Sequence, residues 1–310
     1  MIVVQLSGGL GNQMFQYAAG RALAARQRTQ LTLDSSWIEG QGGGVSTEVR
    51  RYELGCFELE APLAPVEQVA RLQRSLLPSR RPVLRELVEP QFGQPCHELR
   101  EAADDTYLRG YWQNVAYFED AEPLLRTDFK FRPEIAEQQA ELAQEIGDSP
   151  VPTVSLHVRR SDYISDPGVR ERMGTLEPEY YSRALDALGS GVGSVRLFVF
   201  TDDAKWCTTN LRLSEQDVVV GATRAERDKG ASSMHLMTLC DHHVLANSSF
   251  SWWGAWLNPN PTKIVVAPRP WLQDSRWAED GRTPGDWVRI DRRDYQADQP
   301  PSTTTFVPVT

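Results

Sequence analysis

Apolar positions along the chain fall into two recurring patterns. Short, largely apolar runs at Ile2–Leu6, Leu31–Leu33, Val151–Leu156, Val195–Phe200 and Asp217–Val220 have the length and β-branched content of buried strands. Between them the spacing turns helical. Met14, Tyr17, Ala18, Leu23 and Ala24 share one face of a segment ending at Gln27, and Tyr180, Tyr181, Ala184, Leu185 and Leu188 share one within 176–188. Helices are also predicted over 65–77, from Glu119 to Leu125, over 133–146 and over 231–240, with further strands from Tyr107, over 244–246 and over 263–267. Alternation of strand and helix along the whole chain predicts an α/β protein with parallel sheets. The turn cluster Gly147-Asp148-Ser149-Pro150 divides it. The expected organisation is an N-terminal domain over 1–149, a C-terminal domain over 150–295 and a loosely ordered tail over 296–310, with a Gly-rich loop at 40–49.

Strong polar groups gather where these strands end, and open α/β sheets bind ligands at those ends. The central run opens into His157, Arg159, Arg160 and Asp162. Adjacent arginines repel each other, so an anion is their natural third party. Arg159 is the better candidate for a diphosphate, because a planar guanidinium forks onto phosphate oxygens. Asp162 can orient one arginine through an ion pair. The first strand runs into the Gly-rich turn 7–13, whose helix start offers backbone N–H groups to an anion. Gly9, Gly11 and Asp34 match part of a dinucleotide fingerprint, but Met14 occupies its third glycine position. Asn12 and Gln13 add side-chain amides there. Ser248, Ser249 and Ser251 stand where another strand turns into a helix. Trp112 and Gln113 set an aromatic face beside an amide, which suits a sugar and equally suits a core. Asp202-Asp203 could hold a metal or a ribose, but capping the helix that follows is the better reading. His242 and His243 are side by side and cannot readily face one metal, so they read as structural.

Composition narrows the class. A net charge of −9 over 310 residues argues against a general nucleic-acid or polybasic membrane surface, while leaving room for a nucleotide pocket. Cys56, Cys96, Cys207 and Cys240 lie far apart, which predicts free thiols and no disulfide framework or zinc site. There is no charged leader with an apolar core and no run of about 18 apolar residues, so the expectation is a cytosolic protein, peripheral to a membrane at most.

The clusters are more specific together than apart. SGGLGNQMFQYA over 7–18, GYWQ over 110–113, HVRRSDY over 157–163, FTDD over 200–203 and NSSFSWWG over 247–254 follow in order. This pattern resembles the bacterial alpha-1,2-fucosyltransferases of glycosyltransferase family 11, over about residues 1–270. The resemblance implies a GT-B-like fold, with two Rossmann-type domains facing across a cleft: the N-terminal one mainly on the acceptor side, the C-terminal one binding GDP-fucose. It implies transfer of L-fucose, with inversion, to the 2-hydroxyl of a terminal galactose, without cofactor or metal. Carried onto this chain, Arg159 holds the diphosphate and stabilises departing GDP. His157 and Asp241 contact the nucleoside, and Ser248 and Ser249 bind phosphate. Gly11 and Asn12 face the cleft from the first domain, and Gln13, Trp112 and Gln113 lie on the acceptor side. Ser161 stands where the family more often has Gly. The general base stays open among Asp162, Asp34, Asp166 and the phosphate of GDP itself, so Asp162 is either the base or a structural partner of an arginine. Two rival readings are a nicotinamide-dependent oxidoreductase and a non-catalytic nucleotide- or glycan-binding protein.

Overall fold

The computed structural model describes residues 1–40, 50–59, 61–65, 67, 84–90, 92, 95–221, 230–273 and 281–292. Two parallel sheets carry the fold. In the first half, β1 (Ile2–Gln5), β2 (Leu31–Asp34), β3 (Arg85–Val88) and β4 (Thr106–Arg109) are ordered β2-β1-β4-β3. In the second, β5 (Thr153–Val158), β6 (Arg196–Thr201), β7 (Val218–Gly221), β8 (His242–Val244), β9 (Val265–Arg269) and β10 (Val288–Asp291) are ordered β10-β9-β8-β5-β6-β7. In each half the first strand is flanked on both sides by later ones. The strand order therefore reverses between β1 and β4 and between β5 and β8, where a crevice opens at the carboxyl ends.

Burial of β5 at all six positions follows from helices covering both faces of a parallel sheet. Val154, Leu156 and Val158 pack with Tyr180, Tyr181, Ala184 and Leu188 of the Pro178–Val192 helix. On the other face, the Ser155 hydroxyl bonds His243 Nδ1 at 2.7 Å and the His157 ring lies 5.7 Å from that of Phe250. His243 is closed on its second nitrogen by Asn258 at 2.8 Å, which is the structural role expected of it.

The two halves share one core. The Ser249–Leu257 helix follows β8, yet its tryptophans enter the first half's aromatic cluster. Trp252 lies 4.6 Å from Phe15, and Trp253 lies 5.7 Å from Phe118 and 5.1 Å from Phe129. Arg126 closes the far end of this helix by donating to the Trp256 and Leu257 carbonyls at 2.9 and 3.3 Å. In the other direction, Ile146 is buried with Phe198, Phe200 and Leu236, and Gln139 donates to the Ser232 hydroxyl at 2.8 Å. The chain has therefore crossed to the second sheet before the Gly147–Pro150 turn.

Several elements differ from the sequence pattern. The first helix, Leu10–Gln27, starts four residues before the apolar spacing does. The helix predicted over 133–146 is two, Pro133–Glu137 and Ala140–Gly147, broken at Gln139 with φ −135° and ψ 43°. The strand predicted at 244–246 is β8, two residues earlier. The short Ser161–Ser165 and Pro167–Met173 helices and the edge strands β3 and β10 have no counterpart in the prediction. The helix predicted over 65–77, most of the 40–49 loop and the 296–310 tail lie outside the described residues. All four cysteines are buried and free. Among the described residues no helix is long and apolar enough to cross a membrane.

Candidate active site

Loops from both sheets converge at the switch points: 7–9 after β1, 110–113 after β4, 159–162 after β5 and 245–248 after β8. Asn12 is the junction. Its Oδ1 accepts from Gln113 Nε2 and from Ser249 Oγ, each at 2.8 Å, and so ties both halves together. Gly11 permits the approach, since a Cβ there would stand 2.5 Å from the Ser249 carbonyl carbon. Trp253 Nε1 donates to the Gly11 carbonyl at 3.1 Å. Ser248 caps its helix, accepting from Phe250 N at 3.3 Å. The Leu10–Gln27 and Ser249–Leu257 helices thus abut at their N-termini, and neither has an acidic residue in its first turn. Two positive dipole ends packed together favour an anion between or beside them.

Arg159 is held on two sides. Its Nη2 meets Asp162 Oδ1 at 2.9 Å and its Nη1 meets Asp202 Oδ2 at 3.0 Å. Asp202 also accepts from Arg160 N at 2.8 Å and Ser161 Oγ at 2.5 Å, which fixes the whole loop. Burial alone would raise the Asp202 carboxyl. Arg159, with the Ser161 and Arg160 donors, outweighs burial and holds it below the usual carboxylate range. Arg160 is engaged elsewhere: its guanidinium lies 4.1 Å from the Trp206 ring centroid and pairs with Asp203 at 3.3 Å. Asp203 also caps the next helix through Trp206 N at 3.1 Å, as expected for that pair of acids. His157 is buried, and burial pushes its imidazole down to about 3, so the ring is neutral. Its Nδ1 has no hydrogen-bond partner among the described residues.

Other expected site residues are placed differently. Asp241 lies at the amino end of β8, where its Oδ2 accepts from Thr153 N at 2.8 Å and Thr153 Oγ1 at 2.9 Å. That is the opposite edge of the sheet from His157 and Arg159, so the expected nucleoside contact is corrected to a brace at the start of β5. Gln13 is fully buried, with its amide donating to the Gly8 and Arg51 carbonyls at 3.0 and 2.7 Å and accepting from Glu53 N at 2.9 Å. It shapes the loop and does not present its amide to a sugar. Trp112 is fully buried, with its ring 5.8 Å from Tyr117, so the core reading of this aromatic prevails over the stacking one. Gln113 reaches the site through Asn12. Of the alternative acids, Asp34 is fully buried and accepts from Tyr107 Oη at 2.5 Å and Ser36 N at 2.8 Å. Asp166 caps the Pro167–Met173 helix.

Two functional-looking features escaped the sequence reading. One is Asp202 as the anchor of Arg159. Its signal was available, because β5 and β6 run parallel with Val158 opposite Thr201, which makes Arg159 and Asp202 neighbours at adjoining strand ends. The other is Arg50, 3.8 Å from Asp162 Oδ2, which follows a Gly-rich stretch without periodicity and gives no signal.

Comparison with known proteins identifies the family. A family model for glycosyl transferase family 11 matches residues 83–291. An alpha-1,2-colitosyltransferase of Escherichia coli is 30% identical, over 94% of this chain and 99% of its own. The galactoside 2-alpha-L-fucosyltransferase Sec1 of Mus musculus is 24% identical, over 86% of this chain and 67% of its own. Among solved structures, a mutant of Arabidopsis thaliana FUT1 in complex with GDP superposes with a TM-score of 0.51 at 13% identity, covering 99% of this chain and 79% of that one. The two-sheet architecture is GT-B-like, and the chain belongs to glycosyl transferase family 11.

Proposed function

We propose that this family 11 enzyme transfers L-fucose from GDP-fucose, with inversion, to the 2-hydroxyl of a terminal galactose on a glycan. The observation that carries the reading is Arg159, gripped by Asp162 and Asp202 beside two abutting helix N-termini. As the bond between fucose C1 and the β-phosphate oxygen breaks, negative charge accumulates on the diphosphate. Donors fixed there in advance stabilise that charge more than they stabilise the bound donor, which lowers the barrier. Neutral His157, with a buried ring nitrogen unpartnered among the described residues, supports a contact to the nucleoside. Ser248, Ser249, Gly11 and Asn12 line the joint where the two helices begin. Asp34 and Asp166 are engaged in structural hydrogen bonds and Asp162 is paired with Arg159. In this reading the acceptor hydroxyl proton passes to the departing phosphate.

The oxidoreductase alternative needs Asp34 on a ribose, and that carboxylate is buried on Tyr107. A second donor has a specific observation behind it: the relative that is 30% identical is named for colitose, which lacks the 3-hydroxyl of fucose. Incubation with GDP-fucose and lactose in EDTA, followed by NMR of the product linkage, tests the proposal. An alpha-1,2-fucosylated lactose is expected. NAD binding without GDP-fucose turnover, or GDP binding with no transfer to any galactoside, would overturn it, and transfer from GDP-colitose alone would revise the donor.

A further inference from the structure

Arg50 lies where the loops of the two halves approach each other. Its Nη1 runs alongside Gly9, close enough that a Cβ added there would stand 3.1 Å from it. Its Nη2 is 3.8 Å from Asp162 Oδ2, while the other Asp162 oxygen meets Arg159 at 2.9 Å. One carboxylate thus has a guanidinium on each side, one from each half of the protein. Both contacts are ion pairs, the Arg159 one close and the Arg50 one looser. Arg50 also adjoins the start of the Leu10–Gln27 helix, where Gly9 makes no side-chain cap. An anion placed against that helix start would therefore adjoin the Arg50 guanidinium.

We propose that Arg50 is a second ligand of the leaving diphosphate, supplied by the N-terminal half, and that Asp162 is the counter-ion that holds both arginines before the donor arrives. The inference rests on the GDP-sugar reading above and adds a residue to it. In the step concerned, the bond from fucose C1 to the β-phosphate oxygen breaks and its electron pair stays on that oxygen. The acceptor oxygen forms the new bond to C1, and its proton passes to the phosphate. Arg50 acts on the charge arriving at the β-phosphate. Asp162, shared by two cations, is a positioning residue rather than the base.

The test separates the β-phosphate from the rest of the nucleotide. Wild type, Arg50→Ala and Arg50→Lys are titrated with GDP and with GMP, which lacks the β-phosphate, and kcat is measured with GDP-fucose and lactose. Arg50→Ala should bind GDP about 10- to 100-fold more weakly, the usual loss for a charge-assisted hydrogen bond. Its GMP affinity should stay within about 3-fold of wild type, and kcat should fall in parallel with GDP affinity; Lys should recover part of both. Arg50→Gln gives the same comparison if the Ala variant does not fold. Equal losses for GDP and GMP, or unchanged GDP affinity and kcat in a wild type that does transfer fucose, would overturn the role of Arg50 alone. A wild type that binds neither nucleotide would overturn the donor reading with it.

Discussion

Gly11→Ala sets two physical expectations against each other. Alanine is the better helix former, by up to about 1 kcal/mol, so local propensity alone predicts a gain in stability. The packing predicts a loss. A Cβ on Gly11 would stand 2.5, 2.6 and 2.7 Å from the carbonyl carbon of Ser249, the nitrogen of Phe250 and the carbonyl oxygen of Ser249. All three are backbone atoms, so no side chain can rotate aside. The helix starts must separate by roughly 1 Å to restore ordinary contact distances, which are 3.5–4.0 Å for carbon. That strains the Trp253–Gly11 and Ser249–Asn12 hydrogen bonds, now 3.1 and 2.8 Å. Overpacking costs about 1–3 kcal/mol, and each weakened hydrogen bond up to about 1 kcal/mol. The net expectation is about 1–4 kcal/mol of destabilisation by urea unfolding, with reduced kcat/KM. Gly189→Ala is the control: this glycine lies in the Pro178–Val192 helix with nothing within 4 Å of its added Cβ, so it should gain up to about 1 kcal/mol. Gly11→Ala as stable as wild type would refute the close junction between the halves.

Two further outcomes rest on the same geometry. His157 and His243 are both pushed down to about 3 by burial, so each stays neutral in the folded protein at pH values where the unfolded chain takes up a proton. Stability should therefore be intact above about pH 6.5 and fall below it, by up to about 1.4 kcal/mol per pH unit per histidine until pH nears 3. Urea unfolding at pH 7, 6 and 5 measures this, and a flat profile would contradict the burial of both rings. Asp202→Asn keeps the shape but removes the charge opposite Arg159 and weakens the grip on Ser161 and Arg160 N. It should lower kcat/KM by about 10- to 100-fold, in line with a charge-assisted hydrogen bond, and unchanged kinetics would detach Asp202 from the site.

Much of the site was legible because parallel α/β sheets put chemistry at strand ends. β5 sets Val154, Leu156 and Val158 between polar residues, β6 carries the apolar run Leu197–Phe200, and their parallel register brings the following Arg159 and Asp202 side by side. The same rule explains the error at Asp241. It precedes its strand and so lies at the amino end, away from the ligand edge. β3 and β10 were invisible because each lies at a sheet edge with exposed or half-exposed charged positions such as Arg85 and Arg289, which break the apolar run. The break at Gln139 has no glycine or proline to announce it; it reflects packing of two short helices on the Gly230–Leu239 helix. An amide such as Gln13 reads identically in sequence whether it faces a ligand or, as here, the carbonyls of Gly8 and Arg51. The sharing of one aromatic core by both halves is a long-range fact, which pairs Phe15 with Trp252 across most of the chain.

In the proposed reaction Arg159 meets the charge of the departing diphosphate through a forked guanidinium. The direct measurement is kcat/KM for fucosyl transfer by Arg159→Lys, with unfolding curves to confirm that the variant folds. Lysine keeps the positive charge but loses the planar fork and the simultaneous reach to Asp162 and Asp202. By analogy with arginines that stabilise phosphoryl transfer, the variant should lose about 10³-fold or more. A folded Arg159→Lys with kcat/KM near that of wild type would contradict it.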